Sequence, residues 1–359
     1  MPGAADPIKT SPAEPNPKPH EPLFRPAVLK LAAVVLLVTV VPVLTIVILL
    51  FGSGAATTAI FGVLVGMLNI VLGGRNTAFA ASFALIIMAP ISVMAGLNPV
   101  TGAAVMAISC LAIGASAGWG LQRGLSMLPL AIAFLIISPP AVSNTPTDRI
   151  STPYLLTVVA IMAISSLIPV IVLTFLLRHK ELPKPQRNNR ADSIEYAIII
   201  SVTTSVAMFG VLAIHPSPYS FWLLLTLIAV VQVGPQASLR KTIQRASGTV
   251  IGGAVAAVIV ILIPNSTVLF AIGMLMLLVA FNFIGSTRYW LYIACMTPTI
   301  VLTSGAPAAA STDVARVSYT LIGAALAVVA FAISHVVRLT MSNREQDADK
   351  TPAAAPRTA

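Results

Sequence analysis

Long apolar segments dominate this sequence, and they occur as two sets of six. The first set lies within residues 28–178 and the second within 192–338, with matching segments about 165 residues apart. Each segment is about 17–25 residues long, the length that an α-helix needs to cross a bilayer. Lipid offers no hydrogen-bond partners to an exposed backbone, and the segments lack the alternation of membrane β-strands. We therefore predict membrane-spanning helices.

The composition is typical of the same class, because 57% of the residues are hydrophobic and only 9% are charged. We predict an all-α polytopic membrane protein with about 12 transmembrane helices in two six-helix repeats. Each set has an even number of crossings, so both begin on the same side and the repeats are predicted to be parallel. The predicted segments are 28–51, 55–72, 77–96, 100–119, 124–141, 152–177, 193–214, 219–234, 246–263, 267–284, 289–305 and 316–338.

The basic residues predict the topology. With a cytoplasmic N-terminus, 19 of the 21 Lys and Arg residues fall on the cytoplasmic side, and only Arg149 and Arg316 fall on the outer side. This positive-inside bias places both termini of a multi-pass protein in the cytoplasm. The net charge of +10 is then a matter of topology and of attraction to membrane lipid, and it does not indicate nucleic-acid binding.

The remaining parts of the chain are short and hydrophilic. Residues 1–27, which are rich in proline, and residues 339–359 are expected to be disordered cytoplasmic tails. Residues 179–191 are expected to form a basic cytoplasmic linker between the repeats, 28–178 and 192–338. No grouping of acid, base and nucleophile, no phosphate loop and no metal motif is recognisable, so we predict a protein that is not an enzyme and has no cofactor or metal.

The charged residues favour an anionic substrate. All eleven carboxylates lie in predicted tails, loops or first helical turns, whereas cation and proton pumps usually carry one inside the membrane. Arg149 and Arg316 are both predicted to open the sixth helix of a set, with Asp148 and Asp313 nearby. Two interpretations remain open. Each arginine reaches the outer surface and pairs with its Asp, or the two flank a pathway between the sets and bind carboxylates there.

Polar and small residues within the segments are further candidates. Asn69 and Gln232 lie 163 residues apart, each near the end of the second helix of its set. Their amides either bond neighbouring helices or contact substrate. Close contacts between helices are predicted at three Gly-x-x-x-Gly spacings, which cover residues 62–66, 114–118 and 248–252.

The stretch from Phe221 to Gly253 contains the largest number of such features. Residues 238–245 are predicted to form a short basic amphipathic piece on the cytoplasmic side, and the next helix is predicted to begin around Ser247. The free amide groups of a helix start, together with Arg245, would attract an anion. The alternative is a positive-inside loop followed by a glycine-rich packing face.

This stretch resembles the fusaric acid resistance protein-like and aromatic acid exporter family. The resemblance lies in Phe221-Trp222, in the polar Gln232, and in the run Arg245-Ala246-Ser247-Gly248-Thr249-Val250-Ile251-Gly252. The last helix is similar too, with Arg316 followed by Thr320-Leu321-Ile322-Gly323, although Tyr319 stands where the family often has an Asp. The six-helix unit is also similar to that of plant aluminium-activated malate transporters. The resemblance covers the second set well and the first weakly.

The resemblance implies export of aromatic or other organic carboxylic acids across the plasma or inner membrane, in some relatives with a periplasmic adaptor protein. Arg245 is expected to bind the anion at the cytoplasmic mouth, and Arg149 and Arg316 toward the outer side. The other predicted substrate-binding residues are Gln232, Asn69, Thr249 and Thr320. A passive organic-anion channel and a non-transporting membrane scaffold are the alternatives.

Overall fold

The computed structural model describes residues 30, 33–142, 149–178, 187–214, 217–233, 235–263, 265–283, 288–303 and 306–349. Most of these residues are helical, and none of them forms a strand. The helices of the first set are α1 (Ala33–Phe51), α2 (Ala56–Gly73), α3 (Arg75–Ala95), α4 (Pro99–Ser116), α5 (Met127–Ile137) and α6 (Thr152–Leu176). A one-turn helix, Gln122–Leu125, precedes α5.

The second set has the same order of elements. Its helices are α7 (Arg190–Ile214), α8 (Phe221–Val230), α9 (Pro235–Leu262), α10 (Ser266–Asn282), α11 (Tyr289–Thr303) and α12 (Ala306–Asp349). A turn of 3-10 helix, Pro218–Ser220, leads into α8.

Among the described residues, eight helices are long and apolar enough to cross a membrane, and four more apolar helices are shorter. The shorter ones correspond to α5, α8, α10 and α11. The chain is thus an all-helical, polytopic membrane protein, as predicted. The number of crossings, the parallel repeats and the side of each terminus stay predictions.

Small residues bring the helices of the first set into close contact. A Cβ atom at Gly62 of α2 would lie 1.9 Å from Oγ of Ser165 in α6, and one at Gly66 would lie 2.3 Å from the backbone oxygen of Ser166. No side chain fits between these two helices, so their backbones approach closely. The contact predicted for residues 62–66 is therefore confirmed.

The two sets meet mainly where α4 packs against α7. A Cβ atom at Gly114 would lie 2.3 Å from Cα of Ala197, whereas one at Gly118 would meet open space. The contact predicted for residues 114–118 thus exists only at its first glycine. The hydroxyl of Ser205 donates to the backbone oxygen of Ala103 across the same interface (3.0 Å).

An aromatic cluster fills a second contact between the sets. It consists of Phe61 of α2, Phe134 of α5 and Phe221 of α8. The ring centroid of Phe61 lies 4.5 Å from that of Phe134 and 4.9 Å from that of Phe221, and Phe134 lies 5.3 Å from Phe221. The start of α8 therefore presents a closely packed apolar face to the first set.

The helix boundaries differ from the sequence prediction at two functional segments. Helix α9 runs without a break from Pro235 to Leu262, so no helix begins at Ser247 and the anion site predicted at that helix start is wrong. Helix α12 begins at Ala306, well before Arg316, and continues to Asp349, past the predicted end at 338. Polar residues inside a helix interrupt hydropathy without interrupting the backbone hydrogen bonds, which explains both errors.

The predicted tails and linker are only partly within the described residues. Residues 1–27, 179–186 and 350–359 lie outside them. Helix α7 begins at Arg190, inside the predicted linker, and α12 includes the first part of the predicted C-terminal tail. Asp148, expected to be near Arg149, also lies outside the described residues.

Candidate functional site

Two arginine side chains are buried between α8, α9, α11 and α12. Arg245 of α9 is 4% exposed and Arg316 of α12 is 2% exposed. Nε of Arg245 donates to the hydroxyl of Thr226 on α8 (3.2 Å), and its Nη1 donates to the hydroxyl of Tyr289 on α11 (3.1 Å). Nε of Arg316 donates to the hydroxyl of Thr297 on α11 (3.2 Å). Neutral hydroxyl groups thus hold both guanidinium groups. The arginine site is the name we give to Arg245, Arg316, Thr226, Tyr289, Thr297 and Trp222.

The indole ring of Trp222 fixes the position of Arg316. Cζ of the guanidinium group lies 4.2 Å from the ring centroid, which is the geometry of a cation–π contact. Trp222 and Thr226 are four residues apart on α8, so one face of this helix contacts both arginines about one turn apart. The Thr226 hydroxyl donates to the backbone oxygen of Trp222 (2.8 Å), which leaves its lone pairs for Arg245.

The arginine site carries an excess of positive charge. Among the described residues, no carboxylate lies within ion-pair distance of Arg245 or Arg316, and the two guanidinium groups repel each other. A third cation, Lys241, lies one turn before Arg245 on the same face of α9. Its Nζ lies 5.2 Å from the ring centroid of Tyr289. A cation at the centre of a membrane helix costs about 2.5–3.5 kcal/mol on insertion scales. Binding of an anion would offset that cost.

Several buried polar atoms of this region have no hydrogen-bond partner among the described residues. They are Nη1 of Arg316, Oγ1 of Thr249 and Oδ1 of Asp313. Thr249 lies one turn after Arg245 on α9 and is 1% exposed. Buried polar groups are normally hydrogen-bonded, and leaving one unpaired costs about 1–3 kcal/mol. A ligand with acceptor oxygens would satisfy the free donors of Arg316 and Thr249.

Glycines allow the four helices around the arginine site to pack closely against one another. Cβ atoms at Gly248 and Gly252 of α9 would lie 2.5 Å and 2.7 Å from the backbone oxygens of Trp290 and Ala294 in α11. The contact predicted for residues 248–252 is therefore confirmed. A Cβ atom at Gly323 of α12 would lie 3.1 Å from the backbone oxygen of Leu223 in α8. The glycines of both sequence motifs thus hold α11 and α8 against the helices that carry the arginines.

The structure brings together part of the predicted site. Arg245, Arg316 and Thr249 lie in this region, and the buried Thr320 lies one turn after Arg316 on α12. Gln232 makes its hydrogen bonds within its own part of the chain. Its side-chain amide donates to the backbone oxygens of Ala229 (3.2 Å) and Val231 (2.8 Å), and its backbone NH donates to the Ser238 hydroxyl (2.9 Å). Gln232 thus stabilises the connection between α8 and α9.

Two predicted residues belong to the first set. Asn69 is buried in α2, where its Nδ2 donates to the backbone oxygen of Val65 (2.8 Å). Arg149 is exposed just before α6 and interacts electrostatically with Tyr154 of that helix. Arg316 is buried instead of reaching the surface, because α12 begins ten residues earlier than Arg316. That Arg149 and Arg316 flank one pathway stays a prediction.

Sequence reasoning missed the residues that hold the arginines. They are Thr226, Tyr289 and Thr297. The nearby cation Lys241 was missed as well, and Trp222 was noted only as part of a motif. A signal was present, because Lys241, Arg245 and Thr249 repeat every four residues and so share one face of α9. In the first set, 165 residues before Thr226 and Arg245, the sequence has Phe61 and Ala80. The first set therefore has apolar residues at the positions that match Thr226 and Arg245.

The comparison with known protein families matches a range within the second set of helices. Residues 197–330 match the family model described as fusaric acid resistance protein-like, which confirms the resemblance over a range that contains the whole arginine site. Neither the curated proteins nor the solved structures include a match to the chain. The family match and the apolar helices together indicate a multi-pass membrane transporter.

Proposed function

We propose that this protein exports organic anions across the inner or plasma membrane and binds a carboxylate of its substrate at the arginine site. The observation that carries this proposal is the pair of buried arginines that hydroxyl groups hold without neutralising them. Charged residues inside a membrane are costly, and they usually mark the path of a substrate or an ion. The guanidinium fork suits a carboxylate, to which it donates two parallel hydrogen bonds.

Aromatic rings next to the guanidinium groups favour aromatic carboxylic acids as substrates. The ring centroids of Tyr289 and Tyr292 lie 6.0 Å apart, and Trp222 stacks on Arg316. Ring faces of this kind provide apolar surface and preferred stacking geometry for a planar ligand. The direction, export, comes from the family resemblance. An adaptor protein on the outer side is a further expectation from that resemblance.

The cations suggest the order in which an anion meets the site. Lys241 precedes Arg245 by one turn of α9, and Tyr289 contacts both, Lys241 through its ring and Arg245 through its hydroxyl. Lys241 also lies within electrostatic range of Arg123 in the first set. An anion from the predicted cytoplasmic side would meet Lys241 first, then Arg245 and finally Arg316. Because both arginines are buried, the helices must rearrange to admit it, which favours a carrier over an open channel.

Flux measurements in proteoliposomes test this proposal. We expect saturable transport of benzoate by the wild-type protein and its loss, by a factor on the order of 100, in Arg245→Ala and Arg316→Ala, since each removes a charge-assisted hydrogen bond to the carboxylate. Arg240→Ala, which removes an exposed arginine of α9, is the matched control and should transport normally. Unchanged flux in both arginine-site variants would overturn the proposal. Benzoate accumulation driven by an imposed ion gradient would exclude the passive channel, and any specific flux would exclude the scaffold.

A further inference from the structure

A carboxylate lies inside the helix that carries Arg316. Asp313 was expected in a loop or first helical turn, but α12 begins at Ala306, so Asp313 lies in the third turn. It also lies within the stretch Ser311–Ser334, which is apolar and long enough to span a membrane. The side chain is half-buried, and its Oδ1 has no hydrogen-bond partner among the described residues. The expectation that every carboxylate lies in a tail, a loop or a first turn is therefore wrong.

The position of Asp313 directs it toward the arginine site. Residues three apart on a helix are neighbours on its surface, so Asp313 lies beside Arg316. On its other side Asp313 packs against α9, where a Cβ atom at Gly253 would lie 2.9 Å from its Oδ1. The carboxylate attracts the guanidinium group, but the two are not within ion-pair distance. Arg316 instead donates Nε to Thr297 and stacks on Trp222.

Few other titratable groups surround this pair in the described part of the chain. Glu195 of α7 is hydrogen-bonded to Ser334, which lies toward the opposite end of α12. Asp313 is thus the described carboxylate that interacts with the arginine site. The remaining titratable groups on the elements packed against α12 are Arg240, Lys241 and Arg245 of α9, Tyr289, Tyr292 and Cys295 of α11, Arg190, Asp192 and Tyr196 of α7, and Tyr219 before α8.

We propose that Asp313 competes with the transported anion for Arg316 and thereby promotes release of the anion. This inference rests on the proposed function. With the site empty, the ionised carboxylate partly neutralises Arg316. With an anion on the free Nη1 of Arg316, two negative groups share one guanidinium group, so the anion is held less tightly and leaves faster. A proton that binds to the carboxylate converts it to a neutral carboxylic acid and removes the competitor.

Proton binding and anion binding are therefore linked. Each favours the other, because the protonated form of Asp313 no longer repels the anion, and linkage requires the effect to be reciprocal. The affinity for the anion rises as the pH falls through the titration of Asp313. Above that pH range Asp313 stays ionised, so the affinity for the anion is low and no longer changes with pH through this group.

Binding of benzenesulfonate to the purified full-length protein in nanodiscs tests this inference, because this probe stays anionic at low pH. We expect Asp313→Asn to bind it on the order of tenfold more tightly than the wild type at neutral pH, since it removes a repulsion between like charges at close range. The same variant should release the probe more slowly and lose the pH dependence. Asp313→Glu should keep the pH dependence, and Asp192→Asn on α7 is a control for the chemical change itself.

The outcomes separate this inference from the proposed function. If Asp313→Asn has the wild-type affinity and pH dependence while Arg316→Ala loses binding, Asp313 is not a competitor and the anion site stands. If Arg316→Ala and Arg245→Ala bind the probe as the wild type does, the proposed function itself fails. Slower benzoate efflux by Asp313→Asn, together with its tighter binding, would support a role in release.

Discussion

At the scale of single residues, the choice of partner decides what the buried arginines can do. A carboxylate partner would neutralise an arginine and leave it structural, as many buried ion pairs are. Hydroxyl groups orient the guanidinium group and leave its charge in place. Thr226, Tyr289 and Thr297 each accept one hydrogen bond from an arginine Nε or Nη1. The positive charge therefore stays available to a ligand.

Tyr289→Phe tests this orienting role. The substitution keeps the aromatic ring beside Lys241 but removes the acceptor for Nη1 of Arg245. An unpaired donor of this kind costs about 1–3 kcal/mol, so we expect the KM for benzoate to change roughly tenfold while the protein still folds. Concentration-dependent flux measures the effect. Tyr154→Phe is the control, because this buried tyrosine of the first set also loses one hydrogen bond, which it donates to the backbone oxygen of Pro140 (2.8 Å). An equal change of KM in both variants would argue against an orienting role of Tyr289.

At the scale of elements, the glycine spacing in α9 has a structural meaning that the family motif alone does not reveal. Gly248 and Gly252 face the backbone of α11, whereas Arg245 and Thr249 face the interior of the arginine site. One helix thus combines a packing face and a ligand face, offset by one residue position. The close approach of α11 is the condition for Tyr289 to reach Arg245.

Gly252→Val should separate α9 from α11. A Cβ atom at this position would lie 2.7 Å from the backbone oxygen of Ala294, so one of the helices must shift, at a cost of about 1–3 kcal/mol. We expect a lower melting temperature in detergent and loss of benzoate transport. Gly118→Val, at a position that faces open space, should change neither quantity. Normal transport by Gly252→Val would show that the site does not depend on this contact.

At the scale of the whole molecule, the two sets differ in the residues that they bring to the contact around α8. The first set contributes an aromatic contact to the start of α8, through Phe61 and Phe134, and its counterpart positions to Thr226 and Arg245 are Phe61 and Ala80. We expect the substrate path to run between α8, α9, α11 and α12, within the second set, and the first set to support it.

Phe134→Ala distinguishes a supporting role from a role in binding. The side chain packs against Phe221 and Phe61, and removal of a buried Phe costs roughly 3–5 kcal/mol in well-packed proteins. We expect a clear loss of thermal stability with little change in the KM for benzoate in the protein that remains folded. A large change of KM without loss of stability would place the path between the two sets instead. Thermal unfolding and flux on the same preparation make the comparison.

The sequence by itself determined the class of this protein, because the length and hydropathy of its segments allow only helices in a membrane. It also made Arg245, Arg316 and Thr249 candidates, since the family motif contains them and two of them are cations in apolar surroundings. Only the tertiary structure decided which groups meet. Hydropathy does not mark a helix end where polar residues lie inside the helix, so the start of α12 and the burial of Arg316 and Asp313 were not predictable. The partners of Arg245 lie on other helices, 19 and 44 residues away in the sequence, and their contact depends on how those helices pack.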